Sequence, residues 1–186
     1  MLTTSILSLL ILLDALGVIA YSHYLHLTAL FSDDEDPRAR FECWEIATPY
    51  STYPTVGEAI PGVADVTNVS YVVLPPRSSE GIHRPPHPMF FVLLSGLAHV
   101  TLPEGEDELW IMEGVNGLMI AADVEGDGHY TDYPSDKPSV ALQVTFKNGE
   151  MPAHRVVKKG VCGPSSGSSS TLQTGGLMDG SQAPLA

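Results

Sequence analysis

The chain has 186 residues, of which 22 are acidic and 9 basic, and its formal net charge is −13. Nucleic acids and anionic membrane surfaces are bound by basic faces, so this charge argues against both as partners. The length favours one domain with tails, and 44% of apolar residues is enough for a hydrophobic core. Because Gly and Pro are frequent and helical periodicity is rare, we expect an all-β domain with many turns.

Residues 1–31 are predicted to form a hydrophobic signal peptide or an anchor helix outside the domain. Ile6–Ala20 is almost entirely apolar, and its length and position are those of a signal peptide. However, no Lys or Arg precedes this run, and Asp14 would be costly in a membrane span. An amphipathic helix lying on the domain is the third interpretation. The segment predicts secretion or membrane anchoring, and it is the only part of the chain expected to meet a membrane.

Two changes in composition set the predicted domain boundaries. Residues 32–40, "SDDEDPRAR", resemble a charged linker, and strand-like sequence begins at Phe41. Residues 163–186 are rich in Gly and Ser and too polar to bury much surface, so we expect a disordered tail. The domain is therefore predicted to span residues 41–162.

Two further features are typical of an exported protein. Cys43 and Cys162 are the only cysteines, and in an oxidising compartment they would pair as a disulfide between the two ends of the domain. Asn68 begins the tripeptide "NVS", which is an acceptor for N-glycosylation.

Short β-rich runs separated by turn signals fill the domain. The first, "VSYVVLPP", ends at two prolines, and "MFFVLLSGLAHVTLP" is predicted to be a hairpin that turns at Ser95–Gly96. The runs "LWIMEG" and "GLMIAAD" follow, then the tight loop "EGDGH" and the alternating strand "SVALQVTF". About eight short strands predict a sandwich or a small barrel.

The spacing of glycines and histidines resembles the cupin family. Its first motif is Gly, five residues, His-x-His, three or four residues, Glu, six residues and Gly, and His83 and Gly96 match its first histidine and last glycine. Its second motif contains Gly-x-x-His, which Gly126 and His129 match. More narrowly, "HRPPHPMFFVLLSGLAHVTLP" and "GDGHYTDYPSDKPSVALQV" resemble small fungal proteins of polyketide gene clusters, named cupin-domain oxidoreductases. The resemblance implies a double-stranded β-helix, or jelly-roll barrel, around a pocket.

The sequence departs from the family at the metal-ligand positions. Pro85 stands at the second histidine and Met89 at the glutamate, and neither side chain suits a hard divalent ion. His87 is a poor replacement, because residues four apart in an extended chain are about 13 Å from each other. Bound iron or manganese is therefore disfavoured, and His83 and His129 would be its only candidate ligands.

The two histidines are instead predicted to be catalytic proton-transfer groups at the mouth of the barrel. The alternative is that they are structural residues, hydrogen-bonded in loops at that mouth. Strand periodicity places a set of mostly apolar pocket residues beside them, which suits a small hydrophobic or aromatic molecule, although these residues could simply fill the barrel. The predicted pocket residues are Met89, Phe91, Leu93, Tyr133 and Gln143, with Tyr71 and Trp110 as further candidates. His99 falls on the opposite face and is expected to be structural.

Three classes of function remain open at this point. The first is an enzyme that acts on a small aromatic or polyketide intermediate in fungal secondary metabolism. The resemblance implies an oxidoreductase, and without a metal the enzyme would be an acid–base cyclase, isomerase or dehydratase. The second class is a secreted binding protein without turnover, and the third is a structural or storage-type cupin. A homodimer is compatible with each.

Overall fold

The computed structural model describes residues 24–55, 57–114 and 116–163. Apart from one turn of 3-10 helix at Lys147–Gly149, the regular structure of these residues is entirely β, as the sequence predicted. The strands are β1 (Tyr24–Phe31), β2 (Arg40–Pro49), β3 (Ser51–Thr52), β4 (Glu58–Ala59), β5 (Val66–Leu74), β6 (Ser78–His83), β7 (Met89–Ser95), β8 (Leu97–Thr101), β9 (Glu108–Met112), β10 (Leu118–Ala122), β11 (His129–Tyr133), β12 (Ser139–Phe146) and β13 (His154–Lys159).

Strands β5 to β12 form a jelly roll. One sheet contains the order β5-β12-β7-β10, and the other has the order β6-β11-β8-β9. Along the chain, β5 pairs with β12, β6 with β11, β7 with β10 and β8 with β9, as if one long hairpin had been rolled up. This double Greek key is the architecture that cupins share, so the strand order itself supports the fold that the resemblance implied.

Three more strands extend the larger sheet beyond β10. Strand β1 runs parallel to β10 and antiparallel to β2, and β13 pairs with the other side of β2. Cys43 on β2 and Cys162, which follows β13, form a disulfide with their Cα atoms 4.7 Å apart. The bridge closes a loop with a sequence separation of 119, for which the chain-entropy model gives about 5 kcal/mol.

The described part of the predicted N-terminal helix is a strand. Residues 24–31 form β1, and Leu27, Ala29 and Leu30 are buried in the sheet. The sheet therefore begins before Phe41, where the sequence predicted the domain to start. Residues 1–23 lie outside the described residues, as do residues 164–186 of the predicted tail. Within the described ranges, no helix is long and apolar enough to cross a membrane.

The predicted charged linker is an ordered loop. Asp33 accepts hydrogen bonds from the backbone N–H of Asp36 and from the guanidinium of Arg40, and Ser32 donates to the carbonyl oxygen of Glu125. Acidic and basic side chains of this segment form ion pairs with each other. The number of charges alone does not predict these pairs, and therefore does not predict the ordered loop.

The predicted hairpin at Ser95–Gly96 is wrong in its pairing. Strand β7 belongs to the larger sheet and β8 to the smaller one, so the chain turns a corner between the two sheets. Gly96 has φ of 95°, and a Cβ there would collide with the side chain of Ser139. The Ser-Gly signal was therefore a genuine turn signal, but it marks a change of sheet.

Apolar side chains fill the space between the two sheets and also cover part of the outer face of the larger sheet. The inner core includes Leu30, Phe41, Leu93, Val100 and Ile111. The outer core includes the fully buried side chains of Trp44, Ile46, Ile120 and Phe146. The inner core does not fill the jelly roll completely, and a cavity remains at one end.

Candidate functional site

The cavity between the sheets has a volume of about 180 Å³. Its floor is apolar and consists of Met89, Phe91, Val100, Ile111, Met119 and Ala121. Its polar side is built mainly from the neighbouring strands β6 and β11, which contribute Glu80, His83, His129, Thr131 and Tyr133. Such a lining suits a small and mostly apolar ligand that carries a few polar atoms.

His83 and His129 face each other across these two strands. They are paired residues in the antiparallel register of β6 and β11, and their ring centroids are 4.3 Å apart with the planes tilted by 55°. The structure thus brings together the two histidines that the motif spacing selected. His87, in contrast, is exposed and does not line the cavity.

His129 is held by a buried carboxylate. Its Nδ1 lies 2.7 Å from Oδ2 of Asp123, a residue that directly follows β10 and is 0% exposed. A carboxylate oxygen accepts hydrogen bonds, so Nδ1 is the nitrogen placed to donate to Asp123, and Nε2 is the nitrogen left for other partners. An imidazole whose Nδ1 donates to a carboxylate can act as a base through Nε2. The other carboxylate oxygen of Asp123, Oδ1, is buried with no hydrogen-bond partner among the described residues.

His83 has different partners. Its Nε2 lies 2.9 Å from Oε2 of Glu80, and its Nδ1 lies 3.1 Å from the carbonyl oxygen of Gly81. Both oxygens are acceptors, so this arrangement favours a proton on each ring nitrogen, which is the imidazolium form. The hydrogen bond to Glu80 raises the pKa of His83, and the same bond lowers the pKa of Glu80.

Tyr133 completes this second group. Its hydroxyl donates to Oε1 of Glu80 at 2.8 Å, so one carboxylate connects the phenol to His83. Burial, followed by the nearby charge of Glu80, raises the pKa of Tyr133 well above its ordinary value, which keeps the hydroxyl protonated. The carboxylate of Glu80 therefore lies between Tyr133 and His83 and contacts both side chains.

A β-bulge places Glu80 and His83 on the same side of β6. Residues three apart in a regular strand point to opposite faces. Here Ser79 pairs with Asp132 and Ile82 with Tyr130, so Glu80 and Gly81 together lie opposite a single residue of β11. Gly81 has φ of 68°, the left-handed conformation that glycine adopts in this type of bulge. The extra residue reverses the alternation and turns both side chains towards the cavity.

The residues present do not fit the metal ion that the fold family implies. Pro85 and Met89 both line the cavity at ligand positions, where they offer no hard donor. Both ring nitrogens of His83 already contact oxygen atoms, those of Glu80 and Gly81. Within the described residues, no group of three or more His, Cys, Asp or Glu side chains is arranged to hold a metal ion.

Only some of the predicted pocket residues line the cavity. Met89, Phe91, Tyr133 and Gln143 line the cavity, whereas Leu93 points inward but is packed in the core beyond it. Tyr71 and Trp110 are exposed on the outer faces of the two sheets, so these two predictions are wrong. His99 also lies outside the cavity, where it stacks on Trp110 and contacts Glu108.

Sequence reasoning missed the two carboxylates, Glu80 and Asp123. Asp123 had a usable signal, because a charged residue that directly follows the apolar run "GLMIAA" is expected to need a buried partner. Glu80 had none, because only the bulge at Gly81 brings it onto the face of His83.

Comparisons with known proteins leave the family open. No family model matches the chain, and no curated protein matches it. Seven chains of solved structures match the chain, and three of them are described here. The cupin domain of Cnp3 from Schizosaccharomyces pombe has 12% identity and a TM-score of 0.34 over 69% of this chain and 87% of that one. A dTDP sugar isomerase from Desulfovibrio desulfuricans has 14% identity and a TM-score of 0.33 over 64% and 83%.

The third is a conserved protein of unknown function from Streptococcus pyogenes, with 18% identity and a TM-score of 0.30. It is matched over 42% of this chain and 64% of its own length, which is less than two thirds. Likenesses at these TM-scores carry no weight for the site, and the assignment of the fold rests on the strand order described above.

Proposed function

We propose that the protein is a metal-independent acid–base enzyme, an isomerase or a cyclase, that acts on a small and mostly apolar carbonyl compound. The observation that supports this most directly is the pair of adjacent histidines, each held by a different carboxylate. Nδ1 of His129 lies against Asp123, which leaves Nε2 to accept a proton, whereas the contact with Glu80 raises the pKa of His83 and favours its protonated form. Neighbouring groups whose environments separate their protonation states are typical of acid and base roles.

The proposed reaction begins at a carbon next to the carbonyl group. His129 removes a proton from that carbon, and the electron pair of the broken C–H bond moves towards the carbonyl oxygen to form an enolate. The imidazolium of His83 stabilises the negative charge on that oxygen. Return of the proton to a different atom completes an isomerisation. In a cyclisation the enolate carbon attacks a second carbonyl of the same molecule, and the alkoxide that forms takes the proton back from His129.

The carboxylates have separate tasks in this scheme. Asp123 fixes the tautomer of His129 and balances the positive charge that the ring acquires when it takes the proton. Glu80 keeps His83 protonated and orients it, and through Tyr133 it is connected to a second hydroxyl donor. Both tasks follow from hydrogen bonds already present in the site.

The cavity limits the size of the substrate. An apolar cavity of about 150 Å³ holds one benzene molecule, and the cavity here is about 180 Å³. It therefore has room for one ring with small substituents. This size supports the proposal of a small hydrophobic or aromatic substrate.

The narrower expectations from the sequence remain predictions. An oxidoreductase of fungal polyketide metabolism is implied by the resemblance alone, and the donor set of the cavity favours acid–base chemistry. Export is supported by the disulfide and by the sequon at Asn68, which lies on the exposed strand β5.

Proton exchange tests the proposal directly. Phenylacetone and ring-substituted analogues, which carry one ring and an acidic C–H bond, are incubated with the protein in D₂O and followed by NMR. We expect catalysed exchange of the protons beside the carbonyl, and His129→Ala should slow it by about 10²–10⁴-fold. His99→Ala, outside the cavity, is the matched control and should leave the rate unchanged.

The alternatives give different results in the same experiment. Equal exchange rates in the wild type and in His129→Ala would contradict the proposed base. Saturable binding of these ketones without exchange would indicate a ligand-binding protein instead of an enzyme.

A further inference from the structure

Arg84 places a positive charge at the mouth of the cavity. It directly follows the last residue of β6, and it lines both the cavity and a shallow depression outside it. Within the described residues, it is the only lysine or arginine that lines the cavity. The chain as a whole is strongly acidic, with a net charge of −13. A positive charge at this place is therefore an exception that needs a physical reason.

The surrounding backbone holds the side chain of Arg84 in place. The next residue, Pro85, is buried, and a residue that precedes proline is restricted to extended conformations. The guanidinium donates to the carbonyl oxygen of Gly126 at 3.2 Å. The side chain also packs closely on Gly128, where a Cβ would lie 3.0 Å from Cγ of Arg84. The loop between β10 and β11 therefore supports this side chain at the mouth.

The charge of Arg84 is not balanced by an ion pair. Within the described residues, Arg84 forms none, whereas each of the other arginines contacts a carboxylate, namely Arg38, Arg40, Arg77 and Arg155. The acidic residues that line the cavity and the depression bond elsewhere. Glu80 contacts His83, and Asp127 accepts a hydrogen bond from a backbone N–H. Several N–H groups of the Arg84 guanidinium are therefore left for a ligand.

We propose that Arg84 binds a carboxylate group of the substrate, which makes the substrate a small aromatic 2-oxo acid of the size of phenylpyruvate. The planar guanidinium binds a carboxylate through two parallel N–H···O bonds. A carboxylate carries a single negative charge, whereas a phosphate carries about two. Because Glu80 and Asp127 lie on either side of this one arginine, the site favours the smaller charge.

This inference rests on the proposed function for the position of the carbonyl group. The ring would occupy the apolar floor, and the carbonyl group would lie beside His83 and His129. Since Arg84 directly follows His83 in the chain, the carboxylate is expected next to the carbonyl group, as in a 2-oxo acid. The cavity, which has room for one ring with small substituents, is compatible with this arrangement.

Binding of two unreactive probes tests the role of Arg84 without turnover. 3-Phenylpropanoate and 3-phenylpropanamide share the ring and the chain, and only the first is charged. In isothermal titration calorimetry of the full chain, we expect the acid to bind about 10–100-fold more tightly than the amide, because hydrogen bonds between charged groups are the stronger ones. Arg84→Gln should abolish this preference, and Arg84→Lys, which keeps the charge without the planar fork, should retain part of it.

Arg77→Gln is the matched control. It removes the same charge from an arginine that is paired with Asp136 and does not line the cavity, so it should keep the preference for the acid. The preference is a ratio measured on one protein, and a change in the folded fraction therefore cancels. Equal binding of the acid and the amide by the wild type, or a preference that survives in Arg84→Gln, would overturn the proposal.

Proton exchange separates this inference from the proposed function. Phenylpyruvate is phenylacetone with a carboxylate in place of the methyl group, so the two ketones form a second matched pair. The ratio of their kcat/KM values for exchange should fall by about 10–100-fold in Arg84→Gln, in favour of phenylacetone. Exchange of both ketones with the same ratio in the variant would contradict the role of Arg84 and leave the acid–base function standing. A preference for the acid probe that depends on Arg84, without exchange of either ketone, would support the carboxylate site and contradict the acid–base function.

Discussion

The β-bulge at Gly81 can be tested by the substitution Gly81→Ala. Gly81 has φ of 68°, and a Cβ built on it meets no atom within 4 Å, so alanine introduces backbone strain without a clash. The left-handed conformation costs an L-residue about 1–2 kcal/mol. The lower entropy of an unfolded chain with alanine offsets about 0.5–1 kcal/mol of this. The free energy of unfolding should therefore fall by about 1 kcal/mol.

The strain at residue 81 should also change the site, because this residue is next to Glu80. The chain can relieve it only by moving residue 81 out of the left-handed region, and that movement turns Glu80 away from His83. Because the hydrogen bond to Glu80 is the main cause of the raised pKa of His83, the variant should bring this pKa back towards its ordinary value of 6.5.

Urea unfolding and NMR titration of the His83 ring measure the two effects separately. Gly105→Ala is the control, because Gly105 also has a positive φ and open space around it but lies in the loop between β8 and β9. Both variants should lose stability, and only Gly81→Ala should change the His83 titration. An unaltered titration in Gly81→Ala would refute the claim that the bulge aligns Glu80 with His83.

Three further predictions concern single groups. Arg77 adopts φ of 52°, and its side chain forms an exposed ion pair with Asp136. Arg77→Gly should therefore raise the free energy of unfolding by about 0.5–1 kcal/mol in urea titrations, and a loss of stability would contradict the backbone strain. The Glu80–His83 pair should add up to about 1 kcal/mol in a limited pH range, since both groups are partly exposed. This contribution falls as the pH drops through the lowered pKa of Glu80, and it falls again as the pH rises above 6.5 through the raised pKa of His83. Thermal unfolding of Glu80→Gln should show neither limb, and a profile identical to the wild type would exclude the pair as its source. Asp123→Asn should slow proton exchange by about 10²–10⁴-fold while the circular dichroism spectrum stays native, and an unchanged rate would remove Asp123 from the mechanism.

The glycine spacing predicted the jelly roll because it reflects backbone conformation. Gly96 turns the corner between the sheets, and Gly126 has φ of 81° with the carbonyl group of Pro37 packed where a Cβ would lie. Arg77 occupies the position where the family motif begins with glycine, and it too has a positive φ. Residue 77 therefore keeps the left-handed conformation although it is not a glycine. This explains why the motif spacing predicted the fold despite the missing glycine.

The site could be predicted only in part, because its polar groups are brought together by long-range register. The spacing placed His83 and His129 on neighbouring strands, and the pairing of β6 with β11 brings their rings together. Glu80 depends on a bulge that no alternation of residues reveals. Strand β1 was missed for a related reason, since its apolar residues continue directly from an apolar segment that resembles a signal peptide.

The two carboxylates support the proposal that these histidines transfer protons and do not bind a metal ion. A shared metal ion requires both imidazoles to be deprotonated at the nitrogen that faces it. Here Asp123, at the end of β10, contacts Nδ1 of His129, and Glu80, on the bulge of β6, contacts Nε2 of His83. Neither carboxylate occupies the motif position of the family's acidic ligand, which is Met89. The jelly roll thus keeps the histidine pair at the mouth of its cavity, and residues outside the motif change the chemistry that the pair can support.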